Sequence, residues 1–260
     1  MHFAGSIVVG ESVEQPLKYY WNNTSKSRDL LAAAIEHSIP HFVFSSTAAV
    51  YGNPARIPVG EDAAKQPINP YGSSKLITEW MLADIAHAAA IKGHAFNYAA
   101  LRYFNVAGAD PAGRTGQSTA GATHLIKIAC EVATGKRPQL SIFGEDYPTR
   151  DGTAIRDYIH VADLADAHVL ALEKLFRDPE QSFTCNCGYG TGFTVREVIE
   201  AAEKTLGRPL SWKMTARREG DPAALVADGT KIRTLLGWEP RYADIHQIIG
   251  DAYAWECKSA

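Results

Sequence analysis

Two side chains in the first half of the chain, Tyr71 and Lys75, could carry out proton transfer together. They stand four residues apart after Pro70, so a helix that begins at the proline would place both on one face. A free tyrosine phenol titrates near about 10 and is a poor base at neutral pH. A neighbouring ammonium favours the phenolate and lowers the pKa of the phenol. The pair therefore predicts a catalytic base, although the spacing alone also fits a solvated surface pair.

A hydroxyl group that could share this chemistry lies in the Ser-Ser-Thr stretch 45–47, which ends the short apolar run 41–45. We predict that this run is a buried strand of a parallel sheet. Ligands bind beyond the carboxyl ends of such strands, where Thr47, Tyr71 and the stretch 103–105 would meet. A threonine hydroxyl can hydrogen-bond the substrate oxygen that Tyr71 deprotonates. Without Tyr71, a turn cap would explain the stretch equally well.

The elements that must position these residues alternate between helix and strand. This order predicts an α/β fold with a parallel sheet and helices on both faces. The predicted helices are 16–38, 70–90, 122–134, 161–176, 194–206, 231–236 and 245–256, and the predicted strands are 41–45, 95–103, 140–143, 182–186 and 210–213. The predicted loops are 53–69 and 106–120. From about residue 118 the chain is more irregular, so we expect a smaller domain that closes over the strand ends.

Composition bounds the class of protein. The 260 residues are 46% hydrophobic and 21% charged, with a formal net charge of −3, so no basic field suggests a nucleic-acid partner. The cysteines at 130, 185, 187 and 257 lack zinc-site spacing, so we expect reduced thiols, no metal site and a reducing compartment. No apolar run reaches membrane-spanning length. We therefore predict a cytoplasmic enzyme with no membrane partner.

Five ordered motifs together resemble a known family. They are the Tyr71 and Lys75 pair and the stretches 44–52 (FSSTAAVYG), 101–105 (LRYFN), 151–161 (DGT and RDYIHV) and 217–221 (RREGD). They are similar, over essentially the whole chain, to the UDP-glucose 4-epimerases of the extended short-chain dehydrogenase/reductase superfamily. The resemblance implies a Rossmann-like doubly wound parallel sheet whose N-terminal strands are missing, with a smaller C-terminal substrate-binding domain. It implies a partial NAD-binding domain at 1–117 and a mainly UDP-sugar-binding domain at 118–260, with some segments returning to the Rossmann sheet.

The same resemblance implies a reaction. A UDP-hexose, UDP-glucose or UDP-galactose, would be epimerised at C4 through a 4-keto intermediate, with NAD as the cofactor. Tyr71 would remove the proton of the sugar 4-hydroxyl, and Thr47 would share the hydrogen bond to that group. Lys75 would bridge the nicotinamide ribose and lower the pKa of Tyr71.

The resemblance also assigns binding residues by matching position. The implied NAD contacts are Phe3, Ala4, Gly5, Asn22, Ser45, Tyr71, Lys75, Tyr103 and Phe104. The implied UDP-sugar contacts are Thr47, Asn105, His124, Leu125, Ile142, Phe143, Arg156, Arg218, Asp221 and Leu225. The chemistry of the residue types agrees, because two arginine forks suit a diphosphate and a phenylalanine ring can lie against uracil.

Three positions depart from well-known members of the family. Ile7 replaces a lysine that touches the cofactor, and His124 replaces an asparagine that hydrogen-bonds the diphosphate. Leu225 replaces a tyrosine near the sugar 2-position. A smaller side chain there leaves room for an N-acetyl group, so we hypothesise some tolerance of UDP-N-acetylhexosamines.

The glycine-rich loop that binds the NAD pyrophosphate in this family does not occur in the sequence. Residues 187–193 resemble one, but Phe193 stands where a third glycine is needed, so we predict a strand-to-helix turn beside the substrate. The chain begins at what looks like the fourth strand, so we expect roughly 75 missing residues, counted as three β/α units. We therefore expect the 260-residue chain alone to bind NAD poorly, to be inactive and to aggregate through an open sheet edge.

Two alternatives stay open from the sequence. A related dehydratase or decarboxylase would use the same fold, but dehydratases carry Asp-Glu where Ala48 and Ala49 stand. An inactive remnant that acts only as a binding protein is the second alternative, because the pyrophosphate loop is missing. Family members often pair as homodimers through two helices per subunit, and 16–38 with 76–90 are the candidates here.

Overall fold

The computed structural model describes residues 1–119 and 121–259. Ala120 and Ala260, which belong to the predicted 106–120 loop and the predicted second domain, lie outside the described residues. The helices are α1 (Val9–Glu14), α2 (Pro16–Tyr19), α3 (Lys26–Glu36), α4 (Pro70–Ile91), α5 (Leu125–Ala133), α6 (Val161–Arg177), α7 (Val195–Leu206), α8 (Thr230–Leu236) and α9 (Ile245–Lys258). The strands are β1 (His41–Thr47), β2 (Asn97–Tyr103), β3 (Asn105–Ala107), β4 (Leu140–Phe143), β5 (Ile155–His160), β6 (Phe183–Cys187), β7 (Gly192–Thr194), β8 (Trp212–Thr215) and β9 (Ala224–Leu225). Within the described ranges, the membrane-span criteria of length and apolarity are met by none of the helices.

The sheet that carries the predicted catalytic residues is parallel and has the strand order β1-β2-β6. Its register places Thr47 opposite Tyr103, and Tyr103 opposite Cys187, so three carboxyl ends share one edge. His2 adds a parallel bridge to Phe44 on the other side of β1. Since β6 comes from the second half of the chain, a late segment does return to this sheet.

The two faces of this sheet are covered by different helices. Phe42 and Phe44 of β1 pack with Leu31 of α3 and Leu82 of α4. Val43, which alternation turns to the opposite face, packs in a cluster with α6. Both faces are therefore covered by helices, which confirms the predicted α/β class with a doubly wound parallel sheet.

A second group of strands and helices lies around β5. Strand β5 pairs with β3, β7 and β9, and β4 pairs with β8. Helices α5, α7 and α9 enclose a cluster that contains Tyr158 of β5, Ile126, Val198 and Ile248. This cluster holds β4 and β5, which carry several predicted substrate contacts.

Several elements differ from prediction. The predicted helix 16–38 is α2, a π-helical segment at Tyr20–Ser25 and α3, and the unpredicted helix α1 precedes it. The π-helix makes a wider turn, which explains the drift of the apolar stripe there. The short strand β3 opens the predicted 106–120 loop. Strand β8 begins and ends two residues later than the predicted 210–213 strand. Strands β3, β7 and β9 are two or three residues long and pair with the sequence-distant β5, so no local pattern marks them.

The predicted thiols are confirmed as free and largely buried. Cys185 and Cys187 alternate with Asn186 on β6, and both pack in the cluster beneath α6. Cys130 is buried on α5, whereas Cys257 near the end of α9 is exposed.

Candidate functional site

The start of α4 brings the predicted base to the end of β1. Asn69 caps the helix, because its side-chain oxygen accepts a hydrogen bond from the Gly72 N–H at 2.8 Å. Pro70 occupies the first turn, where a missing N–H costs nothing. A Cβ on Gly72 would lie 2.5 Å from the carbonyl oxygen of Ala49, so only glycine lets the helix approach this closely. The capped helix start therefore holds Tyr71 against the turn that follows Thr47.

Thr47 lies beside the Tyr71 phenol at the end of β1. Burial is the larger effect on the pKa of the phenol and raises it above its ordinary value, whereas the Thr47 side chain lowers it. Thr47 also accepts a hydrogen bond from the Ala49 N–H at 3.1 Å, which fixes its oxygen at the end of β1. The chain by itself therefore favours the neutral phenol.

Lys75 lies one turn further along the same face of α4 and is buried. Its Nζ donates a hydrogen bond to the Ser45 carbonyl at 2.9 Å and lies 5.0 Å from the centre of the Phe44 ring. Burial lowers the pKa of Lys75 to about 8. The predicted lowering of the Tyr71 pKa by Lys75 is not among the effects on that phenol in the chain itself.

The segment 3–7, which follows His2, packs closely beside Lys75 and forms one wall of the candidate cofactor cleft. A Cβ on Gly5 would lie 3.1 Å from the side-chain oxygen of Asn23 and 3.5 Å from Lys75 Nζ, so the absence of a side chain leaves space beside a buried ammonium. Asn22 donates to the Ser6 hydroxyl at 3.0 Å. Phe3 and Ala4 are exposed beside it.

Asn23 is a site residue that the sequence reasoning missed. Its amide accepts from the Ser6 N–H at 2.7 Å and donates to the Ser6 carbonyl at 3.0 Å and to the Ser74 hydroxyl at 3.1 Å. This buried side chain therefore ties the cleft wall to the catalytic helix α4. The only signal in the sequence was its place beside Asn22 within the drifting apolar stripe.

The end of β2 supplies the opposite wall. The Tyr103 phenol hydrogen-bonds Nε2 of His168, a buried residue of α6. Burial raises the pKa of this phenol, and the Ser45 side chain opposes that effect. Phe104, the next predicted cofactor contact, is buried in a separate cluster with Val50 and donates its N–H to the Cys187 carbonyl at 3.3 Å.

Six predicted substrate contacts lie on β4, β5, β9 and the segment before β9, in two sets of contacts. Arg156 of β5 makes an ion pair with Asp221 at 3.2 Å and lies opposite Leu225 of β9 in the strand register. The guanidinium of Arg218 lies 4.1 Å from the centre of the Phe143 ring at the end of β4. The neighbouring Ile142 is buried in the core below them and supports the ring from its strand.

The other three predicted substrate contacts lie apart from this group. Asn105 begins β3, and Leu125 begins α5. His124, the N-cap residue of α5, accepts a hydrogen bond at Nδ1 from the Gln117 amide at 3.0 Å, and burial lowers its pKa. Across 1–119 and 121–259, no recorded hydrogen bond or ion pair joins these three residues to Arg156 or Arg218.

The glycine-containing stretch 187–193 does not present its N–H groups to a ligand. The buried carboxylate of Asp157 accepts hydrogen bonds from the N–H groups of Tyr189 at 3.0 Å, Gly190 at 2.9 Å and Ala227 at 3.1 Å. The stretch is therefore a turn wrapped around Asp157, consistent with the prediction that it is not a pyrophosphate loop.

The chain has close relatives among curated proteins. It is 56% identical to a UDP-glucose 4-epimerase of Azospirillum brasilense over 256 residues, which cover 98% of this chain and 72% of that relative. A UDP-glucose 4-epimerase of Halalkalibacterium halodurans is 47% identical and is matched over 75% of its length.

Solved structures give the same result. The UDP-glucose 4-epimerase of Bifidobacterium longum in complex with NAD+ and UDP superposes with a TM-score of 0.94 at 39% identity, covering 99% of this chain and 75% of that one. The UDP-Glc/GlcNAc 4-epimerase of Campylobacter jejuni superposes with a TM-score of 0.80 at 47% identity, covering 99% and 76%. Residues 1–188, well over half of the sequence, match the NAD dependent epimerase/dehydratase family. From this match and these relatives we conclude that the chain belongs to the NAD dependent epimerase/dehydratase family.

Proposed function

We propose that the chain is an NAD-dependent isomerase that epimerises a UDP-hexose at C4 and interconverts UDP-glucose and UDP-galactose. The observation that carries the proposal is the meeting of Tyr71, Thr47 and Lys75 at the carboxyl end of β1. The relatives named UDP-glucose 4-epimerase match nearly all of the chain, including this region.

The residues beside Lys75 fit a nicotinamide cofactor. The space left by Gly5 lies next to a buried ammonium, whose single recorded hydrogen bond among the described residues goes to the Ser45 carbonyl. An ammonium has three N–H donors, so Lys75 retains two for ribose hydroxyls. We assign Lys75, Ser45, Asn22, Tyr103 and Gly5 to the cofactor, together with Phe3, Ala4 and Phe104. When bound, NAD supplies the acceptor and donor of a hydride at sugar C4, with a positive charge that favours the Tyr71 phenolate.

The chain's own residues then move and hold the proton. Tyr71, as the phenolate, takes the proton of the sugar 4-hydroxyl, and the Thr47 hydroxyl holds the same oxygen by a hydrogen bond. Lys75 keeps a positive charge beside the cleft while the phenolate exists. After the 4-keto sugar has turned over and C4 has been reduced on its other face, Tyr71 returns the proton to the C4 oxygen.

The nucleotide and sugar are assigned to the group around β5. Arg156 and Arg218 present planar cationic forks that suit a diphosphate, and Phe143 offers a ring face for uracil. Asp221 can accept hydrogen bonds from ribose hydroxyls. Asn105, His124 and Leu125 would complete the site from β3 and α5.

The turn after Thr47 favours epimerisation over elimination. Ala48 and Ala49 form a short 3₁₀ segment, and Ala48 is buried. Neither side chain can donate or accept a proton, so the acid and base that a dehydratase needs are absent at these two positions. This supports a 4-epimerase rather than a sugar dehydratase.

The test measures conversion of UDP-galactose to UDP-glucose with a coupled assay, and turnover by this chain would also overturn the expectation that it is inactive without the pyrophosphate loop. Replacing Tyr71→Phe removes the proton acceptor and should lower kcat by at least about 100-fold. Tyr98→Phe is the matched control, because Tyr98 lies at the opposite end of β2 and should leave turnover unchanged. Unaltered turnover in the Tyr71→Phe protein would refute the proposal.

We extend the proposal to UDP-N-acetylhexosamines as additional substrates. Leu225 lies opposite Arg156 and is smaller than the tyrosine found there in some relatives of this family. A structural neighbour at 47% identity is itself described as acting on both Glc and GlcNAc forms. UDP-GlcNAc should turn over, and Leu225→Tyr should suppress that activity while sparing UDP-glucose. No turnover of UDP-GlcNAc by an enzyme that turns over UDP-glucose would contradict this extension.

We also propose a homodimer in a reducing, cytoplasmic environment. Large apolar side chains are exposed along the paired helices, with Leu17 80%, Trp21 61% and Trp80 57% exposed. Trp80→Glu should shift the sedimentation coefficient to that of a monomer, whereas Trp212→Glu on β8 should not. The free thiols of the described residues support a reducing compartment.

A further inference from the structure

His168 is a buried histidine that the proposed mechanism does not use. It lies on α6, where only 4% of its surface is exposed. Its Nδ1 lies 2.7 Å from the backbone carbonyl oxygen of Leu164, one turn earlier in the helix. A carbonyl oxygen can only accept a hydrogen bond, so Nδ1 must carry the hydrogen. In the neutral ring, Nε2 is then an acceptor.

This tautomer fixes the direction of the hydrogen bonds that follow it. The Tyr103 hydroxyl contacts Nε2 of His168 and must donate to it. A directed chain therefore runs from the Tyr103 hydroxyl through His168 to the carbonyl of Leu164.

The same histidine also contacts the other wall of the cleft. The Phe3 ring packs on the His168 ring with centroids 4.9 Å apart, and the Tyr103 ring lies 5.3 Å from it on another side. His168 thus joins two segments that are 100 residues apart in the chain and that carry assigned cofactor contacts.

We propose that His168 is a positioning residue of the cofactor cleft, which accepts the hydrogen bond of the Tyr103 hydroxyl and so leaves the Tyr103 oxygen as an acceptor towards the ligand. This inference rests on the assignment of Phe3, Ser45 and Tyr103 to NAD in the proposed function. His168 does not touch the reacting atoms, so its effect is on cofactor affinity rather than on proton transfer. Burial keeps the ring neutral because it lowers the pKa of His168.

The first test needs no cofactor. ¹⁵N NMR of the histidine-labelled chain reports which ring nitrogen of each histidine carries hydrogen, and His168→Gln identifies the resonance. We expect His168 to be the neutral tautomer with hydrogen on Nδ1. Hydrogen on Nε2, or a charged ring at neutral pH, would overturn the inference whatever ligand the protein binds.

The second test compares variants in NAD+ titrations. Tyr103→Phe and His168→Leu should each raise the dissociation constant by about tenfold, because each leaves a buried polar partner unpaired. The double variant should be no weaker than either single one. His168→Gln can offer an amide oxygen at the position of Nε2 and should stay within about threefold of the original chain.

The outcomes separate this inference from the proposed function. Additive losses in the double variant, or normal affinity in His168→Leu, would overturn the positioning role. If the unaltered chain takes up no NAD+ at millimolar concentration, the result agrees with the poor binding expected without a pyrophosphate loop and removes the proposed activity of this chain, and the tautomer measurement still decides the direction of the hydrogen bonds. Circular dichroism of each variant excludes loss of fold as the cause of weaker binding.

Discussion

The ion pair between Arg102 and Glu79 gives the sharpest prediction of stability. Arg102 of β2 donates to both carboxylate oxygens of Glu79 on α4, at 2.9 and 2.6 Å, and both side chains are less than 10% exposed. Glu79 also accepts from the Ser46 hydroxyl at 2.5 Å, and Arg102 donates to the Tyr51 hydroxyl at 2.7 Å. The pair therefore fixes the catalytic helix to the two strands whose ends form the site.

Replacing both partners of this pair should lower the free energy of unfolding by much less than the sum of the two single losses. Arg102→Met leaves the Glu79 carboxylate buried, with one oxygen that has lost its only recorded protein partner, so we expect a loss of about 3–5 kcal/mol. Glu79→Leu strands the guanidinium and should cost a similar amount. The double variant leaves the hydroxyls of Ser46 and Tyr51 and the Glu61 carbonyl each short of a hydrogen bond, at about 1 kcal/mol each. Its total loss should therefore be about 3 kcal/mol, well below the sum of the single losses.

Urea unfolding followed by tryptophan fluorescence measures these differences through the shift of the midpoint at constant slope. The exposed pair of Arg28 and Asp29, at 70% and 68% side-chain exposure, provides the control. Arg28→Met should change the free energy of unfolding by less than about 1 kcal/mol. If the losses of unfolding free energy in Arg102→Met and Glu79→Leu simply add in the double variant, the prediction is refuted.

Three further predictions concern the site and its supports. Burial lowers the pKa of Lys75 to about 8, below its unfolded value near 10.4, so the folded state disfavours the charged amine. The free energy of unfolding should therefore rise as pH increases from about 8 to about 10. Urea midpoints should show this rise, and Lys75→Met should abolish it. Gly72→Ala should destabilise the fold by about 1–3 kcal/mol in thermal unfolding, because the new Cβ would contact the Ala49 carbonyl. Gly10→Ala in α1 is the control and should be neutral or stabilising. Equal effects of the two substitutions would contradict the close approach of α4 to Ala49. Asn23→Ala should release the cleft wall from α4, which faster amide exchange at residues 5–7 would reveal; unchanged exchange would argue against that tie.

Local chemistry explains which parts of the site could be predicted. Pro70, the spacing of Tyr71 and Lys75 and the apolar periodicity after them are signals within one helix, so their placement followed from the sequence. The hydroxyl of Thr47 could be placed because parallel strands share a carboxyl edge. The ion pair of Arg156 with Asp221 depends on strand pairing across 65 residues, and the family resemblance, not local pattern, brought those residues together.

The residues that were missed have roles that exist only in the folded chain. Asn23 and His168 act through partners 51 and 65 residues away, so no local pattern in the sequence marks either of them. The direction of the Tyr71 pKa also depended on structure, because burial raises that pKa by more than the Thr47 side chain lowers it. The boundary between the two predicted domains, 1–117 and 118–260, stays a prediction.

The π-helical segment at Tyr20–Ser25 has a consequence for how this stretch can change in length. Each α-helical residue turns the chain by roughly 100°, so deleting one residue from the wide turn would rotate everything beyond it by about that angle. If Asn23 kept its hydrogen bonds to Ser6 and Ser74, Leu31 would then turn out of the core. If Leu31 stayed in the core, Asn23 would lose those hydrogen bonds. Both anchor points can be satisfied together only with the extra residue present, so shortening here should be far more damaging than substituting an exposed side chain.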